Sequence, residues 1–510
     1  MIEMTLAEVS SAVGGVLHGA TGTETVTGGV EFDSRLVGPG GLFVAVPGER
    51  VDGHAFAAAA VHAGAVGVLA GRPVGVASVI APRLAAGSRS ACYALAGDTD
   101  GAGAAVLAAL SALARTVVCT LSKGGLQVIA LTGSSGKTST KDMVAALLAP
   151  LGPTVAPPGS FNNEIGHPWT ALRADETTRH LVLELSARGR GQIAALCQVA
   201  PPSIGVVLNV GSAHLGEFGS RDAVAGAKGE LVEALPAAGI AVLNADDPMV
   251  TAMDRRTAAR VVRFGQSPSA QVRATELAHD ERGCFSFRLA TPVGEARVQL
   301  TVPGEHQVSN GLAAAAVAVE LGATPAGIAA VLQSYRPASR WRMEVTDRPD
   351  GVTVVNDAYN ANPESVAAAL RALAAMAGTG RRSWAVLGPL AELGETTAQA
   401  YRTIGALAVS LGVNRLVVVG EQARSLYSSA SASPTGRSAP VLVPDAPAAL
   451  ELLQGELAPG DVVLIKASRT VGLERIAEGL LGAEGFRGGP RTGPAISTDE
   501  GSSSDEGSSR

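Results

Sequence analysis

Aromatic side chains make up only 3% of the 510 residues, so any packed interior must be built from Ala, Val and Leu rather than from rings. Cysteine is nearly as scarce. Cys92, Cys119, Cys197 and Cys284 are widely separated and form no C-x-x-C pair. That excludes the common zinc spacings and a disulfide framework, and fits a reduced compartment. A net positive charge is missing too: 40 Lys and Arg against 46 Asp and Glu leave −6. With no broad basic field, no nucleic-acid partner is expected. Residues 1–15 have neither a basic start nor an apolar run, so no secretory signal is read. The longest Ala-rich run, 102–114, is shorter than the roughly 20 residues of a spanning helix and is interrupted by Gly103 and Ser111. No integral membrane association is expected, and the expected location is cytoplasmic.

What the chain does have is a 46% apolar fraction, ample for packed cores, and a length that suggests about three domains. Residues 1–125 alternate short apolar runs, such as Leu42-Phe43-Val44-Ala45-Val46, with Gly and Pro turns, which predicts a small α/β module. Residues 81–103 read as loop. Uninterrupted apolar runs at 128–131, 181–183, 204–208 and 240–243 alternate with Ala- and Leu-rich helical patterns. That is the signature of a parallel sheet covered on both faces. Polarity changes near Arg336-Pro337, and a second such series follows at 352–355, 385–387, 416–419 and 462–465. The expected class is α/β with three domains: a small N-terminal α/β domain (1–125), a central parallel-sheet domain (126–335) and a C-terminal Rossmann-like domain (336–485). Residues 486–510 are Gly, Ser, Pro and acid, too polar to offset their ordering entropy, and are expected to be a disordered tail.

The strand at 128–131 runs into Thr132-Gly133-Ser134-Ser135-Gly136-Lys137-Thr138-Ser139. Glycines let the backbone curl until successive N–H groups face phosphate oxygens, and the following helix adds its positive N-terminal end. Lys137 suits the β- and γ-phosphates and the Thr138 hydroxyl suits Mg²⁺. The two glycines are separated by only two residues, so this is a compact G-x-x-G-K-T loop. The bland alternative is a Gly/Ser turn with a solvated lysine. Glu184 and His214 each follow a strand of the same series, at the sheet edge where open α/β sheets hold ligands. Alone, each is an ordinary strand-end side chain; together they are candidate metal-shell residues. Lys228, read by itself, is an exposed helix lysine.

These segments, with Phe161-Asn162-Asn163-Glu164-Ile165-Gly166, the run 209–220, Gly304-Glu305-His306-Gln307-Val308-Ser309-Asn310 and Asn356-Asp357-Ala358-Tyr359-Asn360-Ala361-Asn362-Pro363, carry a resemblance. The chain resembles the Mur ligases of peptidoglycan synthesis, most closely the MurF-type branch that joins D-alanyl-D-alanine to a UDP-N-acetylmuramoyl tripeptide. The resemblance implies a UDP-sugar domain, an ATPase domain and a Rossmann-like domain. It implies ATP at Gly133, Ser134, Ser135, Gly136, Lys137, Thr138 and Ser139, and Mg²⁺ in two sites served by Thr138, Glu184 and His214. Lys228 would be the lysine that takes up CO₂ as a carbamate, joining Lys137 and His214 in catalysis and helping to hold metal. Asn310 would face the adenine, Arg342 the phosphates and Asp357 the ribose. Ser34 and Arg35 fall in the matching UDP-sugar region, as do residues 52–56, although Asp, Ser and Gly also simply favour turns. Asn162, Asn163, Tyr359, Asn360 and Asn362 are further substrate candidates, and a monomer is expected.

One position departs from the pattern. Pro389, in Leu387-Gly388-Pro389-Leu390-Ala391-Glu392, stands where the family usually has an acid, so any contact by that acid is lost. Rival readings are the ligase that adds the third peptide residue and folylpolyglutamate synthetase. The former commonly carries Asp-Asn-Pro-Arg, where this chain has Asn362-Pro363-Glu364-Ser365. A nucleotide-binding switch or scaffold is the reading from a different class.

Overall fold

The computed structural model describes residues 1–48, 51–84, 95, 98, 100–212, 215–391, 393–432 and 439–482. His214, Cys92, Glu392 and the tail lie outside the described residues, as does most of the expected loop at 81–103. The chain forms two compact units, one of residues 1–340 with 392–396 and one of the remainder.

The first unit opens with helix Leu6–Val13, whose start is fixed by a capping box. The Thr5 hydroxyl accepts the Glu8 N–H and the Glu8 carboxylate accepts the Thr5 N–H, satisfying donors a helix start leaves open. A five-stranded sheet follows, ordered Val16–His18, Ser78–Ile80, Gly67–Ala70, Leu42–Val44, Val30–Glu31, with only the first pairing antiparallel. Helix Ala102–Lys123 is longer than the Ala-rich run suggested. At 22 residues it is long and apolar enough to cross a membrane by length and composition, yet 61% of its most apolar window is buried inside the protein. Gly103 and Ser111 interrupt the Ala-rich run in the sequence, but inside the helix packing overrides the small propensity cost of both residues.

The larger sheet has nine strands in the order Gly294–Pro303, Cys284–Thr291, Val272–His279, Arg260–Gly265, Ile240–Asn244, Ile204–Val207, Gln127–Thr132, His180–Glu184, Thr154–Val155. From Val272–His279 onward along that order every pairing is parallel; the first two pairings are antiparallel. The inner strands are buried at nearly every position, as a sheet covered on both faces requires. The antiparallel extension was not foreseen. Its strands alternate buried and exposed residues, so they lack the continuous apolar runs that marked the others.

The second unit holds a six-stranded sheet ordered Glu344–Asp347, Thr353–Asn356, Val462–Lys466, Ser383–Leu387, Arg415–Val419, Ala439–Val443. Only the edge pairing of Glu344–Asp347 is antiparallel. This is the Rossmann-like pattern expected, with two added edge strands, Glu344–Asp347 and Ala439–Val443.

Helix Gly166–Ala171 buries His167 completely, and neither ring nitrogen has a hydrogen-bond partner among the described residues. Burial lowers its pKa to about 4, with a weaker opposing pull from the Leu196 backbone. In the unfolded chain the imidazole titrates near 6.5, so between those values the unfolded state binds more protons. The neutral ring's contribution is therefore complete above about pH 6.5 and lost as pH falls toward 4, roughly 2 kcal/mol of it by pH 5. His167→Leu should flatten this part of the stability profile. Thermal melts at pH 7 and pH 5 check it: the wild type should lose more Tm between them than the variant.

Candidate nucleotide and metal site

Strand Gln127–Thr132 lies between His180–Glu184 and Ile204–Val207, and the register fixes what meets at its end. Glu184 is paired with Leu131, and Val207 with Thr132. From Gln127–Thr132 the chain goes on to Thr154–Val155 at one edge, and from Ile204–Val207 to Ile240–Asn244 in the other direction, which makes the crevice between these two strands a topological switch point. Loop 133–136 enters this crevice and helix Lys137–Leu148 starts from it. Gly136 has φ +79, and a side chain there would also meet the Asn310 amide at 2.5 Å. Only glycine suits both demands.

The Lys137 ammonium donates to the Gly133 carbonyl at 2.9 Å, so its charge is held over the loop. Thr138 is buried in the first helical turn and Ser139 is half-buried beside it. The N–H groups of Ser134 and Ser135 were expected to face phosphate; both donate instead to the Asn209 side-chain oxygen at 2.9 Å. Asn310 accepts from the Thr140 hydroxyl at 3.2 Å and donates to Gln307 at 2.9 Å, which places it against the loop and the first turns of its helix.

Glu184 is 1% exposed. One carboxylate oxygen accepts from Ser160 Oγ at 2.9 Å and from Asn162 Nδ2 at 2.6 Å. The other is buried without a partner among the described residues. An unpartnered buried carboxylate oxygen is costly and is the kind of hard donor Mg²⁺ takes. The residues here fit a magnesium ion on that ground. Among the described residues no three His, Cys, Asp or Glu gather as a metal cluster, and His214 lies outside them. Asn163 plays a different part from its neighbour: its side-chain oxygen accepts the Ile165 and Gly166 N–H groups and caps the short helix.

Lys228, on helix Arg221–Glu233, is buried and not an exposed helix lysine. Burial first, and then the Lys137 charge, push its pKa well below the ordinary lysine value. No hydrogen bond or carboxylate reaches it among the described residues. Such an amine gives up its proton more readily than an exposed lysine, and a neutral amine is a nucleophile.

Two buried ion pairs escaped the sequence reading. Lys141, one turn past Lys137, is 1% exposed and pairs with Asp142. It also donates to the carbonyls of Pro157 (2.7 Å) and Gly159 (3.1 Å) and to Ser339 Oγ (3.3 Å). Asp142 in turn accepts the Ser339 N–H at 2.9 Å. The pair thus ties the phosphate-loop helix to the segment leading into Ser160 and Asn162. In the second unit Lys466 donates to Asp357 at 2.6 Å and to the Asn360 carbonyl at 2.8 Å. Met343 N–H donates to the other Asp357 oxygen. A charged residue ending the apolar run 462–465 was the available signal for Lys466, whereas Lys141 sits among Thr, Ser and Asp and carries none.

The remaining candidates fall in two places. In the second unit the Arg342 guanidinium lies 4.1 Å from the Tyr359 ring centroid, Asn360 accepts the Ala361 N–H and Asn362 caps helix Pro363–Ala377. The Pro389 carbonyl accepts the Ser468 N–H at 3.0 Å. In the N-terminal sheet region Arg35 is exposed and paired with Asp33, and Ser34 is half-buried. Nearby, His54 Nε2 accepts the Gly71 N–H at 2.9 Å, so Nδ1 carries the proton it shares with Asp52 at 2.7 Å. His54 is therefore a turn lock, with no nitrogen left over for chemistry. Residues 31–32 and 161 meet around Trp169, which donates to Glu31 and packs edge-on against Phe32 and tilted against Phe161.

Three stretches of the chain match patterns of a single family. Residues 131–318 match the Mur ligase middle domain, 341–469 the Mur ligase glutamate ligase domain and 27–96 the Mur ligase family catalytic domain. A UDP-N-acetylmuramoyl-tripeptide–D-alanyl-D-alanine ligase of Mycobacterium tuberculosis strain H37Rv is 53% identical over 94% of this chain and 98% of its own length. Its counterpart in Escherichia coli K12 is 34% identical over 94% and 99%. Among solved structures, MurF from Acinetobacter baumannii is similar with TM-score 0.79 at 28% identity, covering 93% of this chain and 98% of that one. MurF ligase from Thermotoga maritima in complex with ADP gives TM-score 0.71 at 28% identity, covering 89% and 96%.

Removing Asp142 alone strands the Lys141 charge in the interior. Asp142→Ala should cost about 3–5 kcal/mol of stability, and the double change Lys141→Met/Asp142→Leu should recover at least half of that. Denaturant unfolding of the three proteins measures it; equal losses in the single and double variants would contradict the pairing.

Proposed function

The chain belongs to the Mur ligase family, and on that premise we propose that it is the ATP-dependent amide ligase joining D-alanyl-D-alanine to a UDP-N-acetylmuramoyl tripeptide, with ADP and phosphate as the other products. The observation that carries the site's part in this is the unpartnered Glu184 oxygen, one strand from the phosphate loop and on the same sheet edge. The family fold and the names of its relatives supply the substrates.

A free carboxylate is a poor electrophile. In the proposed reaction a carboxylate oxygen of the tripeptide attacks the γ-phosphorus of ATP, and the bond to the ADP oxygen breaks. The dipeptide amine then attacks the acyl carbon, phosphate leaves with the carboxylate oxygen, and the amine proton is released. Lys137 offsets charge on the transferring phosphoryl group, and the N-terminal end of its helix adds fixed positive potential. Excluding water protects the acyl phosphate from hydrolysis. Mg²⁺, when bound, neutralises phosphate charge; Glu184, Thr138, His214 and a carbamylated Lys228 are the residues proposed to hold it, in two sites. A neutral Lys228 amine can bond to CO₂, lose a proton and so become an anion. Arg342 and Asp357 are assigned to nucleotide binding, Asn162 to the magnesium shell it already borders, and Ser34 and Arg35 to the UDP-sugar. Ser134, Ser135, Ser139 and Asn310 complete the nucleotide assignment, and Tyr359 and Asn360 that of the peptide substrates. We assign three domains to these tasks, at 1–125, 126–335 and 336–485, in a cytoplasmic monomer.

Phosphate release from ATP should require both the UDP-muramoyl tripeptide and D-alanyl-D-alanine; release indifferent to them would instead favour a nucleotide switch. Lys137→Ala should abolish turnover, a loss of at least about a thousandfold, with the thermal melt unchanged. Lys228→Ala should be inactive and regain activity with added short carboxylic acids, which replace the carbamate anion. Full activity of Lys228→Ala without them would remove Lys228 from the site.

A further inference from the structure

Parallel pairing between the phosphate-loop strand and its neighbour continues past both strands. Leu208 N–H donates to the Thr132 carbonyl at 2.9 Å, and Ser134 N–H reaches the Asn209 carbonyl at 3.1 Å. Beyond that point the Asn209 side chain takes over. Its oxygen accepts the N–H groups of Ser134 and Ser135, both at 2.9 Å, and the Ser135 hydroxyl at 3.4 Å. Its Nδ2 donates to the Ser135 carbonyl at 3.1 Å. Ser134 Oγ returns the connection by accepting the Gly211 N–H at 2.8 Å. Gly133 packs so closely that an added Cβ would sit 2.9 Å from Leu208 Cβ.

Successive N–H groups turned into one curl form a concavity suited to an anion. Here one amide side chain engages two of them and closes the far side of the curl. We propose that Asn209 is a positioning residue: a permanent clamp that holds loop 133–136 in its phosphate-gripping shape before ATP arrives. Because the clamp runs through Gly211, it also sets the start of the segment that leads to His214. The proposal rests on the reading of loop 132–138 as the ATP phosphate site.

The test is titration of full-length protein with ATP and Mg²⁺ by calorimetry, beside thermal melts. Asn209→Ala should weaken ATP binding by roughly tenfold, as expected for the loss of several shared hydrogen bonds. Its KM for ATP should rise while KM for D-alanyl-D-alanine stays put. Asn209→Asp has the same size and keeps the acceptor oxygens but loses the Nδ2 donor and places a negative charge beside the incoming phosphates. It should bind ATP more weakly than Asn209→Ala, with a melt close to wild type. Lys137→Ala is the reference. If it loses ATP binding while both Asn209 variants bind ATP like wild type, the clamp is overturned. If Asn209→Ala binds ATP more tightly, the side chain is a plug that must leave, and the clamp is again overturned. If Lys137→Ala binds ATP normally, the phosphate-site reading itself fails.

Discussion

One register decides where the chemistry of this protein sits. Because strand Gln127–Thr132 pairs in parallel with His180–Glu184 on one side and Ile204–Val207 on the other, all three strands end at the same edge. The phosphate loop, Glu184 and Asn209 are then neighbours without any loop having to reach for another. A two-residue slip of either neighbour would move its functional residue by about 7 Å and break the set. Continuous apolar character on both faces of these strands resists such slips, since each shift would exchange well-packed side chains for poorly packed ones.

Among the described residues the interior holds three lysines that must answer for their charge, and they do so differently. Lys141 has Asp142, and Lys466 has Asp357. Lys228 has neither carboxylate nor hydrogen bond among the described residues, and the charge that perturbs it is the like charge of Lys137. Burial of an unpaired ammonium is the costly arrangement of the three. Losing the proton relieves it, and conversion to an anion beside bound cations would reverse the sign of the problem. That contrast separates two structural lysines from one reactive candidate more sharply than burial alone does.

Much of this was legible in the residues. The apolar runs carried both parallel sheets, because strands buried on two faces cannot hide their composition. The antiparallel strands between residues 272 and 303 were missed because much of each faces solvent. Lys228 could not be read as buried from its helix, since Ala227-Lys228-Gly229-Glu230 carries no periodic sign of which face is covered. Asn209 shows no sign of its role in the sequence; its hold on Ser134 and Ser135 depends on partners 75 and 74 positions away. Asn162 and Asn163 are adjacent and alike, yet one borders Glu184 and the other caps a helix, a division only the backbone geometry makes.

The central claim is that this site activates a carboxylate by phosphoryl transfer. It is tested most directly by following oxygen. With the reacting carboxylate of the UDP-muramoyl tripeptide labelled with ¹⁸O, and with ATP and D-alanyl-D-alanine present, mass analysis of the released phosphate should find one labelled oxygen per amide bond formed. Unlabelled phosphate accompanying amide formation, or release of pyrophosphate and AMP, would contradict an acyl phosphate and with it the assigned role of the loop.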